Sequence, residues 1–332
     1  MGYKIRQVVK RCIALVCFVV AWSMGLYAQT DPQVGQYMNV QTSFNPAAAG
    51  DGDLMRVVGL HRIQFTGISN APMTTYFTFS SPFVIGKTKH AAGVKFMNDM
   101  YGLFSNQSVH AQYAYRHKLG KGYLSIGVDL GFVNVGFKVD SVNLDQMEGL
   151  VEDGYFVVGD DAIPVGGGEN GASGMGFDMG MGVYYSAPSW YAGVSYSHIT
   201  RPNIEWSDLS SIKMVGTLYV VGGYNWRIKK TDWVLKPSAM VMTDFSNWDV
   251  NLTMLAEVKE RYRFGAGYRI AGSVNLLFGM DIINGLQLGY TYELPANKLI
   301  RGTYGSYELY LAYGFNILKP KRTNKYKSVR YL

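Results

Sequence analysis

From Arg261 to Ile270 the chain alternates with a period of two. Arg261, Arg263, Gly265, Gly267 and Arg269 are polar or small, and Tyr262, Phe264, Ala266, Tyr268 and Ile270 are apolar. The same period sets Leu286, Leu288, Tyr290, Tyr292 and Leu294 against Gln287, Gly289, Thr291 and Glu293. Near the C-terminus Tyr307, Leu309, Leu311, Tyr313, Phe315 and Ile317 interleave with Ser306, Glu308, Tyr310, Ala312, Gly314 and Asn316. Successive side chains of a strand point to opposite faces, so each segment has one apolar and one largely polar face. Along the whole chain the pattern predicts strands at 54–65, 73–83, 90–100, 106–117, 122–136, 175–187, 189–199, 213–228, 232–245, 248–258, 261–270, 273–283, 286–294 and 305–317.

A water-soluble sandwich would alternate in the same way, with its apolar face inward. Two features favour a membrane. Most segments reach ten residues or more, whereas soluble strands peak near about five or six. Aromatic residues flank the apolar faces (Tyr262 and Tyr268, Trp190 and Tyr196, Tyr307 and Phe315), where an interfacial girdle belongs. The reading is an all-β fold, a transmembrane antiparallel up-and-down β-barrel of about fourteen strands over residues 54–318. Its links support that count. The three longest, 137–174, 200–212 and 295–304, all follow odd-numbered strands, and the even-numbered links are short turns. Long external loops opposite short periplasmic turns are the asymmetry of outer-membrane barrels.

The N-terminus explains how such a barrel would be exported. Lys4, Arg6, Lys10 and Arg11 precede an apolar run at 12–22 and the pair Ala28-Gln29. That arrangement reads as a secretory signal over residues 1–28, cleaved near Ala28. A membrane anchor would need about 20 apolar residues, and polar Gln29, Thr30 and Asp31 end this run too early. Both cysteines, Cys12 and Cys17, lie inside the signal, which leaves the exported chain without disulfides or thiol chemistry.

Only 17% of residues are charged, against 48% hydrophobic and 14% aromatic, which suits a barrel wall. The formal charge of +7 comes from the two ends. Without the signal's four basic residues it is +3, and a basic tail at 319–332 contributes six of its own, leaving the body at −3. Nucleic-acid binding therefore finds no support. The tail residues Lys319, Lys321, Arg322, Lys325, Lys327 and Arg330 form either a docking peptide for a periplasmic partner or a solvated tail.

Several motifs occur in a recognisable order. Asp31-Pro32-Gln33 and Gln36-Tyr37-Met38 are followed by Phe44-Asn45-Pro46-Ala47-Ala48-Ala49-Gly50, then by His61-Arg62-Ile63-Gln64-Phe65. A mid-chain hairpin carries Ala187-Pro188-Ser189-Trp190, and the end carries Gly305-Ser306-Tyr307-Glu308. This series resembles the PorP/SprF-like outer-membrane family of type IX secretion systems in Bacteroidota, with departures at His61, Phe65 and Tyr307. The resemblance implies a barrel that works with outer-membrane lipid, with periplasmic and outer-membrane type IX components, and with a secreted cargo protein such as a gliding adhesin. The competing reading is a transport channel for a small or hydrophobic solute.

The remaining candidates are weaker. The loop 138–174 is rich in carboxylates but lacks the spacing of a calcium loop. His61, His90, His110, His117 and His198 are scattered over different strands without zinc-type spacing, and nothing marks a nucleophile. The chain is read as non-enzymatic, without cofactor or metal. The interior is more informative. Arg261, Arg263 and Arg269 fall on one lumenal stripe beside Glu257, and Glu293 and Glu308 face inward on the last two strands. Unpaired charge in a closed lumen is costly, which predicts a paired network. Residues 29–53 lack sustained alternation and are available as a plug within or beneath the barrel.

Overall fold

The computed structural model describes residues 31–52, 54–137, 151–152, 155–158, 161–164, 172–207, 210–283 and 285–315. The proposed signal peptide and basic tail lie outside the described residues, as does most of the acidic loop. Fourteen wall strands follow one another in sequence: β1 Met55–Ile63, β2 Met73–Ile85, β3 Thr88–Tyr101, β4 Phe104–Leu119, β5 Gly122–Phe137, β6 Ala172–Ser186, β7 Trp190–Ser197, β8 Thr217–Tyr224 (continued by Trp226–Arg227), β9 Trp233–Thr243, β10 Trp248–Val258, β11 Tyr262–Arg269, β12 Ser273–Ile283, β13 Leu286–Pro295 and β14 Ser306–Phe315. Each pairs antiparallel with the next. The ring closes where β1 meets β14, from Met55 opposite Phe315 to Ile63 opposite Tyr307. A bilayer core offers no water to an unpaired N–H or C=O, and a closed sheet has no edge strand to leave such groups exposed.

The period-two pattern decides which face meets lipid. On β10, Trp248, Leu252 and Met254 are exposed, while Asp249, Asn251, Thr253 and Leu255 are buried in the interior. On β14, Leu309, Leu311 and Tyr313 face out, while Glu308, Tyr310 and Ala312 face in. Trp190, Trp226 and Trp233 lie exposed at the short-turn end of β7 to β9, and Phe245, Trp248 and Tyr268 at the opposite end. The tryptophan and tyrosine rings among them are amphipathic and suit the two interfaces. No helix among the described residues is long and apolar enough to cross a membrane.

Two segments differ from the sequence reading. Residues 213–216 do not belong to β8. Asn203–Ser207 and Ser210–Lys213 form their own hairpin, which folds onto β5 and β6. Ile204 and Met214 are buried there with Val133 and Val135, and Trp206 Nε1 donates to the Val135 carbonyl at 2.8 Å. Apolar residues at alternate positions thus continue beyond a strand when a loop has its own surface to cover. The second difference concerns Arg261, expected on the lumenal stripe. It is exposed in the turn between β10 and β11, where its N–H donates to Val258 and its guanidinium sits 5.5 Å from the centre of the Tyr262 ring. Lys259 and Glu260 both adopt positive φ, which turns the chain before the alternation of β11 begins.

Candidate functional site in the barrel lumen

The lumen is occupied by the chain's own N-terminal segment. Asp31 lies near the long-loop end of the barrel, beside His198 and the start of β8, and the chain then descends to Gly50 at the short-turn end. It turns there to enter β1. Val34, Tyr37, Val40 and Phe44 are buried in one cluster with Val58, Leu60, Tyr219, Met240 and Tyr310 from the wall. Without regular secondary structure over most of its length, the segment must find its hydrogen bonds on the wall.

Glu308 supplies the first anchor. Its carboxylate accepts the backbone N–H of Gly35 at 2.9 Å and of Gln36 at 2.7 Å, and pairs with Arg62 at 3.2 Å. Successive N–H groups pointing at one carboxylate form a small anion nest. Arg62 also reaches Glu293 at 2.6 Å, and Glu293 in turn accepts from Arg269 at 2.7 Å and from Ser273 at 2.6 Å. Arg269 Nε donates to Asn251 at 2.9 Å and lies 3.6 Å from Asp249. The two guanidiniums and three carboxylates are all buried, and each has an opposite charge in contact. Of the other lumenal charges predicted from the sequence, Glu257 pairs with Lys236 at 2.6 Å and Arg263 with Asp281. They stand apart from the central cluster.

A second network was not anticipated. Lys95 on β3, His110 on β4, Asp129 on β5 and Asp178 on β6 lead to His198 and Asp31. Lys95 Nζ and His110 Nδ1 each lie 3.2 Å from Asp129, and His110 Nε2 lies 3.5 Å from Asp178. His198 Nε2 is 2.9 Å from Asp31, while its Nδ1 is 2.8 Å from Asp178, an ion-pair contact off the hydrogen-bonding direction. The Tyr219 hydroxyl completes it by donating to Asp31. Burial alone would raise the Asp31 carboxyl, but the His198 charge and the two side-chain hydrogen bonds hold it at about 2. Burial would likewise lower His198, yet Asp31 and Asp178 raise it to about 10. The signal for this network was the inward parity of Lys95, His110, Asp129 and Asp178. It could be combined only once strand register was known.

Lower in the lumen, the contact is steric. Asn45 caps a 3-10 turn at Pro46–Ala48 by accepting the Ala47 N–H at 2.9 Å, and its Nδ2 donates to the Val183 carbonyl at 3.3 Å. Gly127, Gly182 and Gly193 on β5, β6 and β7 face this turn, and a Cβ on any of them would overlap Asn45, Pro46 or Ala47. Gly50 has φ +71°, which lets the chain reverse, and its carbonyl accepts from Arg116. A side chain at Gly50 would also collide with Ala91.

Thus most of the motif residues singled out in the sequence meet the barrel here. Asp31, Gln36, Tyr37, Asn45, Pro46, Ala47 and Gly50 are buried on the segment, and Arg62 and Glu308 are buried on the wall. Pro32 and Gln33 are half-buried. Gln64 lies in the link after β1, where its N–H donates to the Pro72 carbonyl. The Gly305 carbonyl accepts from Thr66, and the Ser306 hydroxyl from the Phe65 N–H at 3.1 Å.

The family model described as "Type IX secretion system membrane protein PorP/SprF" matches residues 26–313. The chain belongs to this family. The matched span includes both the N-terminal segment and the barrel wall down to Tyr313, and it assigns this PorP/SprF protein to the outer membrane. No curated protein matches the sequence. Among solved structures, the Pseudomonas putida toluene transporter TodX is similar at 10% identity and a TM-score of 0.45, over 89% of this chain and 96% of that one. The CymD monoaromatic hydrocarbon channel gives 11% identity and a TM-score of 0.47 over 90% and 97%. The Acinetobacter baumannii outer membrane protein Omp33 gives 9% and 0.45 over 79% and 98%.

Proposed function

We propose that this PorP/SprF barrel is a non-enzymatic, axially closed scaffold of type IX secretion that helps retain or attach a cargo protein at the cell surface. One observation carries the reading: residues 31–52 fill the lumen and are held by buried charge at one end and by steric fit to Gly127, Gly182 and Gly193 below. An aqueous pore has no use for such a filling, whereas a docking platform needs a rigid, sealed body. The loop end would face cargo, and the basic residues at 319–332 would extend from the turn end toward periplasmic partners.

Planar-bilayer recording of the purified barrel tests closure, and absence of steady solute conductance is the expected result. Gene deletion should remove a surface protein while leaving nutrient uptake unchanged. Steady conductance together with an uptake defect would instead establish the transport reading. Deleting 319–332 tests docking separately. Unchanged recovery of periplasmic partners in pull-downs would remove the role assigned to the tail.

A further inference from the structure

Pro237 lies in the middle of β9, a wall strand with a neighbour on each side. Proline has no N–H to give to a ladder, and sheets ordinarily confine it to edges and bulges. Between β8 and β9, rungs run from Leu218 opposite Thr243 to Gly223 opposite Ser238, then resume at Trp226 opposite Leu235. The register is the same on both sides of the gap, so no residue is inserted. Tyr224 and Asn225 simply stand across from Pro237 and Lys236 without a rung. The Asn225 N–H belongs to the ladder on the β7 side and donates to the Ser189 carbonyl at 2.6 Å, so the bond missing between β8 and β9 is the one that Pro237 cannot donate to Tyr224.

Two hollows meet at this gap. On the bilayer side is a groove of about 720 Å³, floored by Gly222, Pro237, Ala239 and Ala266 and walled by Leu252 and Met254. On the lumenal side is a cavity of about 150 Å³, lined by Asn39 of the N-terminal segment with Tyr191, Asn225, Lys236 and Arg263. Tyr224, Pro237 and Ser238 border both. The seam itself is therefore the partition.

The chemistry differs across that partition. Outside, the lining is mostly aliphatic or aromatic, with Ser238 and Thr253 as its hydroxyl residues, and the surrounding solvent is hydrocarbon chains. Inside, Lys236 gives one donor to Glu257, and Arg263 gives one to Asp281, out of three and five that these groups carry. We infer that the seam between β8 and β9 is a side entrance from the bilayer for a single-chain amphiphile. Its alkyl chain occupies the outer groove, and a hydrogen-bond-accepting head such as a carboxylate reaches the lumenal cavity. The inner cavity has room for a head group only. The site does not depend on the scaffold reading, because axial closure by residues 31–52 leaves the lateral seam open to ligand.

The test uses a single thiol. In a Cys12→Ser, Cys17→Ala background, Asn225→Cys places one cysteine on the lumenal side of the seam. A dodecyl maleimide dissolved in the bilayer should label it. Adding Gly222→Trp should abolish that labelling by filling the groove, with labelling by a small water-soluble maleimide unchanged. Position 222 has space for a side chain, since the nearest atom to a Cβ there is the Tyr191 carbonyl oxygen at 3.6 Å. Heat-modifiable gel mobility checks that the variant folds. Oleic acid in the same bilayer provides a measurement without the added tryptophan, and it should slow the dodecyl maleimide alone. Equal labelling with and without Gly222→Trp, no labelling from the bilayer, or no competition by oleic acid would each overturn the proposal.

Discussion

Arg62 and Glu308 stand directly opposite one another across the seam where the first and last wall strands close the barrel, with a guanidinium–carboxylate contact of 3.2 Å. The same carboxylate holds the N–H groups of Gly35 and Gln36. One side chain therefore joins ring closure to the seating of the N-terminal segment.

Glu308→Gln should damage both together. It keeps the shape of the side chain but leaves Arg62 with one buried counter-charge instead of two. Arg62 keeps Glu293, so the cost is less than that of stranding a buried charge and is closer to that of a lost charged hydrogen bond, about 1.5–3 kcal/mol. Urea unfolding followed by heat-modifiable mobility should show a loss of that order. Limited proteolysis should cut within residues 31–52 in the variant and spare them in the parent. A variant as stable and as protected as the parent would separate the two roles.

The glycine facets make a steric prediction. Gly182→Val puts a side chain where the Asn45 carboxamide lies, and Gly193→Val on the adjacent strand meets the Tyr184 ring as well as Asn45. Overpacking of this kind costs about 1–3 kcal/mol. The wall is hydrogen-bonded on both sides of either position, so the segment should yield first. Protease sensitivity of residues 31–52 and new single-channel conductance should appear while heat-modifiable mobility is retained.

Much of this arrangement was legible in the sequence, and the limit has a physical cause. Alternation in a strand fixes which face each residue takes, so the inward set Asp249, Asn251 and Thr253 could be read directly. It does not fix which inward residues on different strands lie at one height. Arg269 and Glu293 were identifiable as lumenal, but their contact depends on the register of β11 to β13. The Lys95 to Asp31 network spans still more strands and was missed for that reason. Gly127, Gly182 and Gly193 looked like ordinary strand glycines until the segment was seen against them. Pro237 lay within a segment read as one continuous strand, and only the pairing reveals the interruption.

The lipid-facing assignment can be checked independently. Leu311 is exposed in the middle of β14, on the opposite face from buried Tyr310 and Ala312. Leu311→Arg should destabilise the barrel in bilayers by about 2–4 kcal/mol, the depth-dependent cost of a cation on the lipid face. Refolding titrations into vesicles measure this. A neutral result would mean that Leu311 faces water.

The Asp31–His198 pair sets a pH window. His198 is raised from its ordinary value of 6.5 to about 10, so its contribution is complete below 6.5 and is lost as pH rises through 10. Asp31 is lowered from 3.8 to about 2, so its contribution is complete above 3.8 and is lost as pH falls through 2. Between about pH 4 and 6 both contributions are complete, and stability from this pair should be flat. Above that range the unfolded state loses the His198 proton while the folded state keeps it, so stability should decline steadily toward pH 10. Asp31→Asn removes the main source of the upward shift at His198. The alkaline decline should then become shallower and end at lower pH. Unfolding midpoints of parent and variant, measured across this range, provide the comparison, and superimposable curves would show that the two residues are not coupled.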